Sequence, residues 1–240
     1  MISLIIPTLQ EEKLLPSFLG QFDRELLERH NVEVVISDGG STDDTVRIAR
    51  EWGAVVIQHA EPRRQTIAEG RNVGASAAKG DVLVFLNADV RVSDMALFFR
   101  RVRQALNTDG ISGATAEVQV FPEEERFSDR VFHLWHNAYV RFLNAIGEGM
   151  GRGECQALTR EMFERVGGYN PAMVAGEDYD LFRRVRKHGR IVMLPEVVIY
   201  ESPRRFRKYG YTHIVWGWTR NALAVIFRNS SSSEEWEAVR

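Results

Sequence analysis

The sequence predicts an α/β fold: a Rossmann-like, doubly wound, mostly parallel sheet with helices on both faces. Three observations predict it. Residues 82–86, Val-Leu-Val-Phe-Leu, are apolar without alternation, the pattern of a strand buried on both faces inside a parallel sheet. Strand-like and helix-like segments alternate with short links over residues 1–110, as right-handed crossovers require. Polar residues collect where strands end, as at Asn87-Ala88-Asp89, and ligands of open α/β sheets sit outside those carboxyl ends.

Each element has its own signal. Residues 2–6 form a first strand stopped by Pro7, and residues 11–29 carry helical spacing at Leu14, Leu15, Phe18, Phe22, Leu26 and Leu27. A second strand, 32–36, runs into Ser37-Asp38-Gly39-Gly40-Ser41-Thr42-Asp43-Asp44. Ser41 or Thr42 can cap the following helix, which Gly53 ends. A short strand covers 54–57, and a helix over 66–79 closes at Gly80 before the central strand. A helix over 93–106 follows, then a strand over 113–121 that is free to leave the parallel order. Residues 127–146 place apolar side chains at 127, 131, 134, 135, 138, 142 and 146, one stripe of an amphipathic helix expected to pack inward. A turn-rich piece over 147–153 precedes a helix over 159–166, a helix opening at Gly176-Glu177-Asp178, and short strands at 191–194 and 197–200. The segment 204–229 is basic, then aromatic, and 230–240 has a disordered composition.

At 240 residues the chain is long enough for one large α/β domain, or one with an appended lobe. Thirty-one basic and 33 acidic residues leave it nearly neutral, so nothing attracts nucleic acid in bulk. A single cysteine, Cys155, excludes an internal disulfide, fits a reducing compartment and has no base at informative spacing. Met1 leads straight into apolar Ile2, Leu4, Ile5 and Ile6 with no basic n-region or cleavage site, and no window reaches 18 apolar residues. A cytoplasmic protein is expected.

The candidate chemistry lies at strand ends and helix starts. A carboxylate at Asp89 can hold a divalent cation, and the cation a diphosphate; a simple strand-end turn also favours Asn and Asp. Asp38, beside two glycines, can accept hydrogen bonds from a base or sugar, or serve as an Asx turn and cap. Arg71 and Asn72, on the helix before the central strand, are placed to meet a diphosphate; a solvated surface accounts for Arg71 as well. Glu177 and Asp178 suit the first turn of a helix, but Asp180 makes more acids there than capping needs, and a carboxylate held in a cleft can take a proton from a hydroxyl. Arg204 and Arg205 can neutralise a leaving diphosphate.

Four segments then line up in order and spacing: SLIIPTLQEEKLL, VVISDGGSTDDT, GRNVGASAAKGDVLVFLNAD and CQALTREMFERVGGYNPAMVAGEDYDLFRRVRKHGR. Across about residues 1–205 the chain resembles family 2 glycosyltransferases of the GT-A fold, and SPRRF at 202–206 is similar to a bacterial branch of small soluble members. The resemblance implies that Asp38 contacts the nucleobase, that Asp89 is the metal ligand of an Asp-x-Asp signature, and that Asp178 is the general base with Glu177 beside it. The first signature position is Asn87 here; in the family it contacts the ribose, which an amide can also do. The processive Gln-x-x-Arg-Trp sequence is not present in that form: WGWTRN at 216–221 orders its Trp and Arg differently.

The expected activity is inverting transfer of a sugar from a nucleotide-diphosphate sugar to an acceptor hydroxyl, with Mg²⁺ or Mn²⁺. The residue signals and the resemblance together give the donor contacts Pro7, Thr8, Glu11, Asp38, Gly39, Arg71, Asn72, Asn87, Arg204 and Arg205. Residues 1–110 would form the nucleotide-sugar half, 111–205 the acceptor and catalytic half of the same domain, and 206–240 an aromatic segment and tail. A binding protein with little or no turnover is the alternative. A sugar nucleotidyltransferase shares the layout but should carry a basic Gly-rich loop where PTLQEEK stands. Tyr209, Tyr211, Trp216, Trp218 and Phe227 make 209–227 a candidate for a membrane surface, which would be the inner membrane face, or for a homodimer; a core helix explains them too.

Overall fold

A computed structural model describes residues 1–228; the expected disorder of 230–240 lies outside the described residues. The first half alternates as expected: β1 (Ile2–Thr8), α1 (Leu15–Leu19), α2 (Arg24–Arg29), β2 (Val32–Asp38), α3 (Thr45–Trp52), β3 (Val55–Gln58), α4 (Ile67–Ala77) and β4 (Val82–Leu86). The single helix expected over 11–29 is two short ones, because Asp23 takes an extended conformation and caps α2 by accepting from the Leu26 amide. Then come β5 (Val90–Val92), α5 (Met95–Leu106), β6 (Ile111–Val120), α6 (Phe127–Ile146), β7 (Cys155–Thr159), α7 (Arg160–Arg165), α8 (Glu177–Arg186), β8 (Arg190–Glu201), α9 (Arg204–Tyr209) and α10 (Tyr211–Arg228).

Among the described residues the strands form one eight-stranded sheet, ordered β3-β2-β1-β4-β7-β6-β8-β5. β1 pairs in parallel with both β2 and β4, and β2 with β3. The sheet turns mixed where β7 enters antiparallel to β4, Leu86 facing Cys155. β8 is one strand through Pro195-Glu196, where Glu196 takes a positive φ of 63°, so the two strands expected there are halves of one bent strand. Alternate residues of β1 feed two cores: Ile2, Leu4 and Ile6 pack with α1 and α5, while Ile5 packs with Val35, Leu83 and Phe85 on the other face. α4 lies so close to β1 that a Cβ on Gly74 would stand 2.4 Å from Ile5 Cγ2.

The amphipathic stripe of α6 corrects one expectation. Asp129, His133, His136 and Asn137 are buried, whereas Phe127, Leu134, Trp135, Phe142 and Ile146 are exposed. Polar partners decide the orientation: Asn137 bonds both the amide and the carbonyl of Val118 on β6, and Asp129 accepts from Arg207 and Tyr211. Of the aromatic C-terminal segment, Trp218 turns inward against His136 of α6, with ring centroids 5.0 Å apart, while Trp216 faces out.

Candidate active site

A cavity of about 460 Å³ opens where β1, β2 and β4 end. Pro7, Thr8 and Glu11 line it from the end of β1, Gly39 from the end of β2, and Asn87, Ala88 and Asp89 from the end of β4. The opposite wall is Glu154, Glu201, Arg204 and Arg205, with Phe206 and Trp218. Of the residues that the sequence singled out, Pro7, Thr8, Glu11, Gly39, Asn87 and Asp89 thus meet Arg204 and Arg205 in one space, whereas Asp38, Arg71, Asn72, Glu177 and Asp178 do not line it.

Asp38 lies behind that surface. It is fully buried; its carboxylate accepts from Thr8 Oγ1 at 3.1 Å, from the Gly40 and Ser41 amides at 3.0 and 2.8 Å, and from Ser41 Oγ at 2.5 Å. Those bonds tie the β1 and β2 loops together and hold Thr8 and Gly39 at the cavity edge. Arg71 and Asn72, expected beside a diphosphate, are instead engaged inside the protein. The Arg71 guanidinium is 1% exposed and donates to Glu177 Oε1 at 2.8 Å, the Gly153 carbonyl at 2.8 Å and Asn87 Oδ1 at 3.2 Å. Asn72 exchanges two bonds with the Tyr169 backbone. The physical reason is burial: a guanidinium removed from water needs its donors satisfied, and Glu177 supplies the counter-charge.

Arg71 therefore connects Asn87 to the acidic start of α8. Burial, then the neighbouring Asp178, push the Glu177 carboxyl up to about 7 against the opposing effect of Arg71. Burial likewise raises Asp178, opposed by Arg71. Asp178 is half-buried and does not line the cavity; its Oδ2 lies 2.8 Å from where a Cβ on Gly153 would stand, so a larger residue there would displace the carboxylate or the loop. Asp180 takes no part: its carboxylate pairs with Arg184 one turn on, at 3.0 Å to Nε.

Asp89 pairs with Arg204 Nη2 at 3.0 Å, and its side chain is one-third exposed. Mg²⁺ and Mn²⁺ favour hard oxygen donors, and Mg²⁺ in particular is bound through one or two carboxylates plus substrate phosphates. The Asp89 carboxylate, in a cavity that Arg204 and Arg205 also line, fits an ion brought with a diphosphate. Among the described residues no cluster of three or more His, Cys, Asp or Glu could hold a metal alone, so phosphate oxygens would complete the shell.

Sequence reasoning missed Glu154, Glu201 and Arg152. Arg152 is buried and reaches Glu154 at 3.1 Å and Glu201 at 3.4 Å. Burial and the Glu154 carboxylate hold Glu201 well above the usual range; for Glu154 burial is opposed by the charge and hydrogen bond of Arg152, with smaller help from the backbone and His133, and the net effect is to lower it. Glu201 pairs across strands with Val90, next to Asp89. Its signal was visible: like Asp89, it is an acid at the carboxyl end of an apolar strand. Cys155 is buried, which pushes its thiol up and keeps it inert.

The family model described as Glycosyl transferase family 2 matches residues 3–167. The 4,4'-diaponeurosporenoate glycosyltransferase of Staphylococcus haemolyticus is 35% identical over 237 residues, 93% of this chain and 61% of that protein. The succinoglycan biosynthesis protein ExoA of Rhizobium meliloti is 29% identical over 210 residues, 84% of this chain and 63% of that protein. The chain thus spans less than two thirds of the length of these relatives. Among solved structures, the mannosyltransferase PcManGT from Pyrobaculum calidifontis, in complex with GDP-Man and Mn²⁺, superposes with a TM-score of 0.69 at 20% identity, covering 93% of this chain and 61% of that one. Glucosyl-3-phosphoglycerate synthase from Mycobacterium tuberculosis, with Mn²⁺, UDP and glucosyl-3-phosphoglycerate, gives 0.64 at 23% identity, covering 94% and 78%. These likenesses establish the GT-A fold. The extent of the family match and the similarity to its curated relatives show that the chain belongs to glycosyl transferase family 2.

Proposed function

We propose that the chain transfers a sugar from a nucleotide-diphosphate sugar to an acceptor hydroxyl with inversion at the anomeric carbon. The observation that carries this reading is the meeting in one cavity of the Asp89–Arg204 pair with the loops after β1, β2 and β4, backed by the Asn87–Arg71–Glu177 chain. Thr8 and Gly39, fixed from behind by Asp38, offer the edge for the nucleoside. Asn87 faces the ribose with its amide held by Arg71. Asp89 would hold Mg²⁺ or Mn²⁺, which supplies charge neutralisation for the diphosphate when bound. Arg204 and Arg205 receive the departing diphosphate oxygens. Asp178, made more basic by burial, takes the acceptor proton, and Glu177, clamped by Arg71, fixes the start of α8. The ligands bound in the solved structures, the donor GDP-Man in one and the nucleoside diphosphate UDP in the other, support the ligand class.

One observation favours a second base: Glu154 lines the cavity, whereas Asp178 does not. Asp178→Asn and Glu154→Gln, assayed for transfer and for binding of UDP- and GDP-sugars with Mn²⁺, separate the two. Loss of the base lowers turnover by about 10²–10⁴-fold with donor affinity nearly unchanged. Asp178→Asn is expected to show that loss. If it turns over within a factor of about three of the parent while Glu154→Gln does not, the base is Glu154. A parent protein that binds donor and never releases nucleoside diphosphate is a binding protein instead.

A further inference from the structure

We infer that the outward face of α6, continued by α10, seats the protein on an anionic lipid surface. Phe127, Leu134, Trp135, Tyr139, Phe142 and Ile146 all face solvent, Phe127 at 83% exposure, and Trp216 of α10 adds a further 69%-exposed ring. A contiguous patch of this kind marks an interaction surface. The helix cannot roll to hide it: Asn137 is bonded twice to Val118, and the buried Asp129 to Arg207 and Tyr211. Trp135 and Tyr139 stack with planes 6° apart, a rigid amphipathic pair of the type that settles at a membrane interface.

Charge selects the occupant. The exposed charges of α6 and its cap are Arg126, Arg130 and Arg141; the acids they meet, Glu125 for Arg130 and Glu117 for Arg141, are the less exposed partners. Residues 204–228 contain no acid; Arg204 and Arg207 are paired with Asp89 and Asp129, and Arg205, Lys208, Arg220 and Arg228 add further positive charge, although the whole chain carries a formal charge of -2. A self-associating face would set the arginines of two copies against each other; an anionic bilayer offsets them. The cavity lies on the opposite, inner side of α6, where Trp218 packs on Phe132 and the buried His136 and lines the cavity wall.

The test is flotation of the full chain with vesicles of phosphatidylcholine, alone or with roughly one third phosphatidylglycerol. Binding is expected to the anionic vesicles, weakened by salt, with the unbound protein monomeric by sedimentation. Leu134→Glu together with Phe142→Glu should lower the vesicle partition by at least about tenfold. Circular dichroism should be unchanged, as should release of nucleoside diphosphate from soluble donor, which scores the catalytic reading separately. Equal flotation of the double variant, or no flotation of the parent, overturns the inference. A dimer that the double variant dissolves assigns the face to a second copy and also overturns it.

Discussion

Asp129 shows how much a single buried carboxylate can organise. It sits in the first turn of α6, fully buried, and accepts from Arg207 and Tyr211, 78 and 82 residues away, so it fastens α9 and α10 to the sheet. Burial alone would raise it, but the hydrogen bonds from Arg207 and Tyr211 hold it well below the usual carboxylate range. A depressed acid contributes stability that is complete above its unfolded value near 4 and is lost as pH falls toward the folded one. Asp129→Asn is therefore expected to destabilise by about 1.5–3 kcal/mol at pH 7 and to flatten the loss of stability below about pH 4, measured by urea unfolding across that range. An unchanged acid limb would place the titrating group elsewhere. In the sequence Asp129 reads only as a favourable first-turn acid, because nothing local reveals partners so distant. Asn87 was legible, but not its hydrogen bond to Arg71. That bond alters what Asn87→Asp should do: the new carboxylate would face the buried guanidinium and remain there. Mn²⁺ affinity with saturating donor is expected to change by less than about threefold. Tightening by about tenfold or more would put position 87 among the metal's ligands.

The parallel strands β1, β2 and β4 were legible from their apolar runs, because burial on both faces leaves a local signal. β7 was not: Cys155-Gln-Ala-Leu-Thr is short and leads into a helix, and its antiparallel place beside β4 is set by the sheet. The stripe of α6 was read correctly as a stripe and assigned the wrong direction. Periodicity shows that a helix has two faces; which one is buried depends on the partners, here Val118 and Arg207. The start of α8 depends on a similar fit. Gly153→Ala would set a Cβ 2.8 Å from Asp178 Oδ2, so the Asp178 carboxylate, α8 or the 147–154 loop must shift. Turnover is expected to fall by about tenfold or more, since a 1 Å displacement of a reacting group can cost about 10²-fold, and the melting temperature should drop. Gly217→Ala in α10, where a Cβ would meet nothing within 4 Å, is the control and should leave turnover unchanged. Similar kinetics in both variants would show that Asp178 tolerates displacement and does not act at the reacting atoms.

At the scale of the molecule, the cavity is a seam. One wall comes from loops after β1, β2 and β4; the other from Glu154, the end of β8 and α9. Asp89 and Arg204, 115 residues apart, join the two by an ion pair. A ligand that binds across the seam stabilises the folded state by mass action, by about 2.7 kcal/mol at a hundred times its dissociation constant. For a chain of 240 residues, at about 2–4 °C per kcal/mol, that corresponds to a rise in Tm of roughly 5–11 °C. If Asp89 shares a cation with the diphosphate, the rise with a nucleotide-diphosphate sugar should be large only when Mn²⁺ or Mg²⁺ is added, and Asp89→Asn should lose the metal-dependent part. Arg204→Gln tests the other wall: it frees Asp89 of its partner, so the ion should bind at least as well while the diphosphate, short of one guanidinium, binds less tightly. Scanning each protein with donor, metal, both and neither separates these effects. A shift in the parent that is the same with and without metal would remove Asp89 from any role in holding a cation, and the Asp89–Arg204 pair would then be a structural clasp between the two walls.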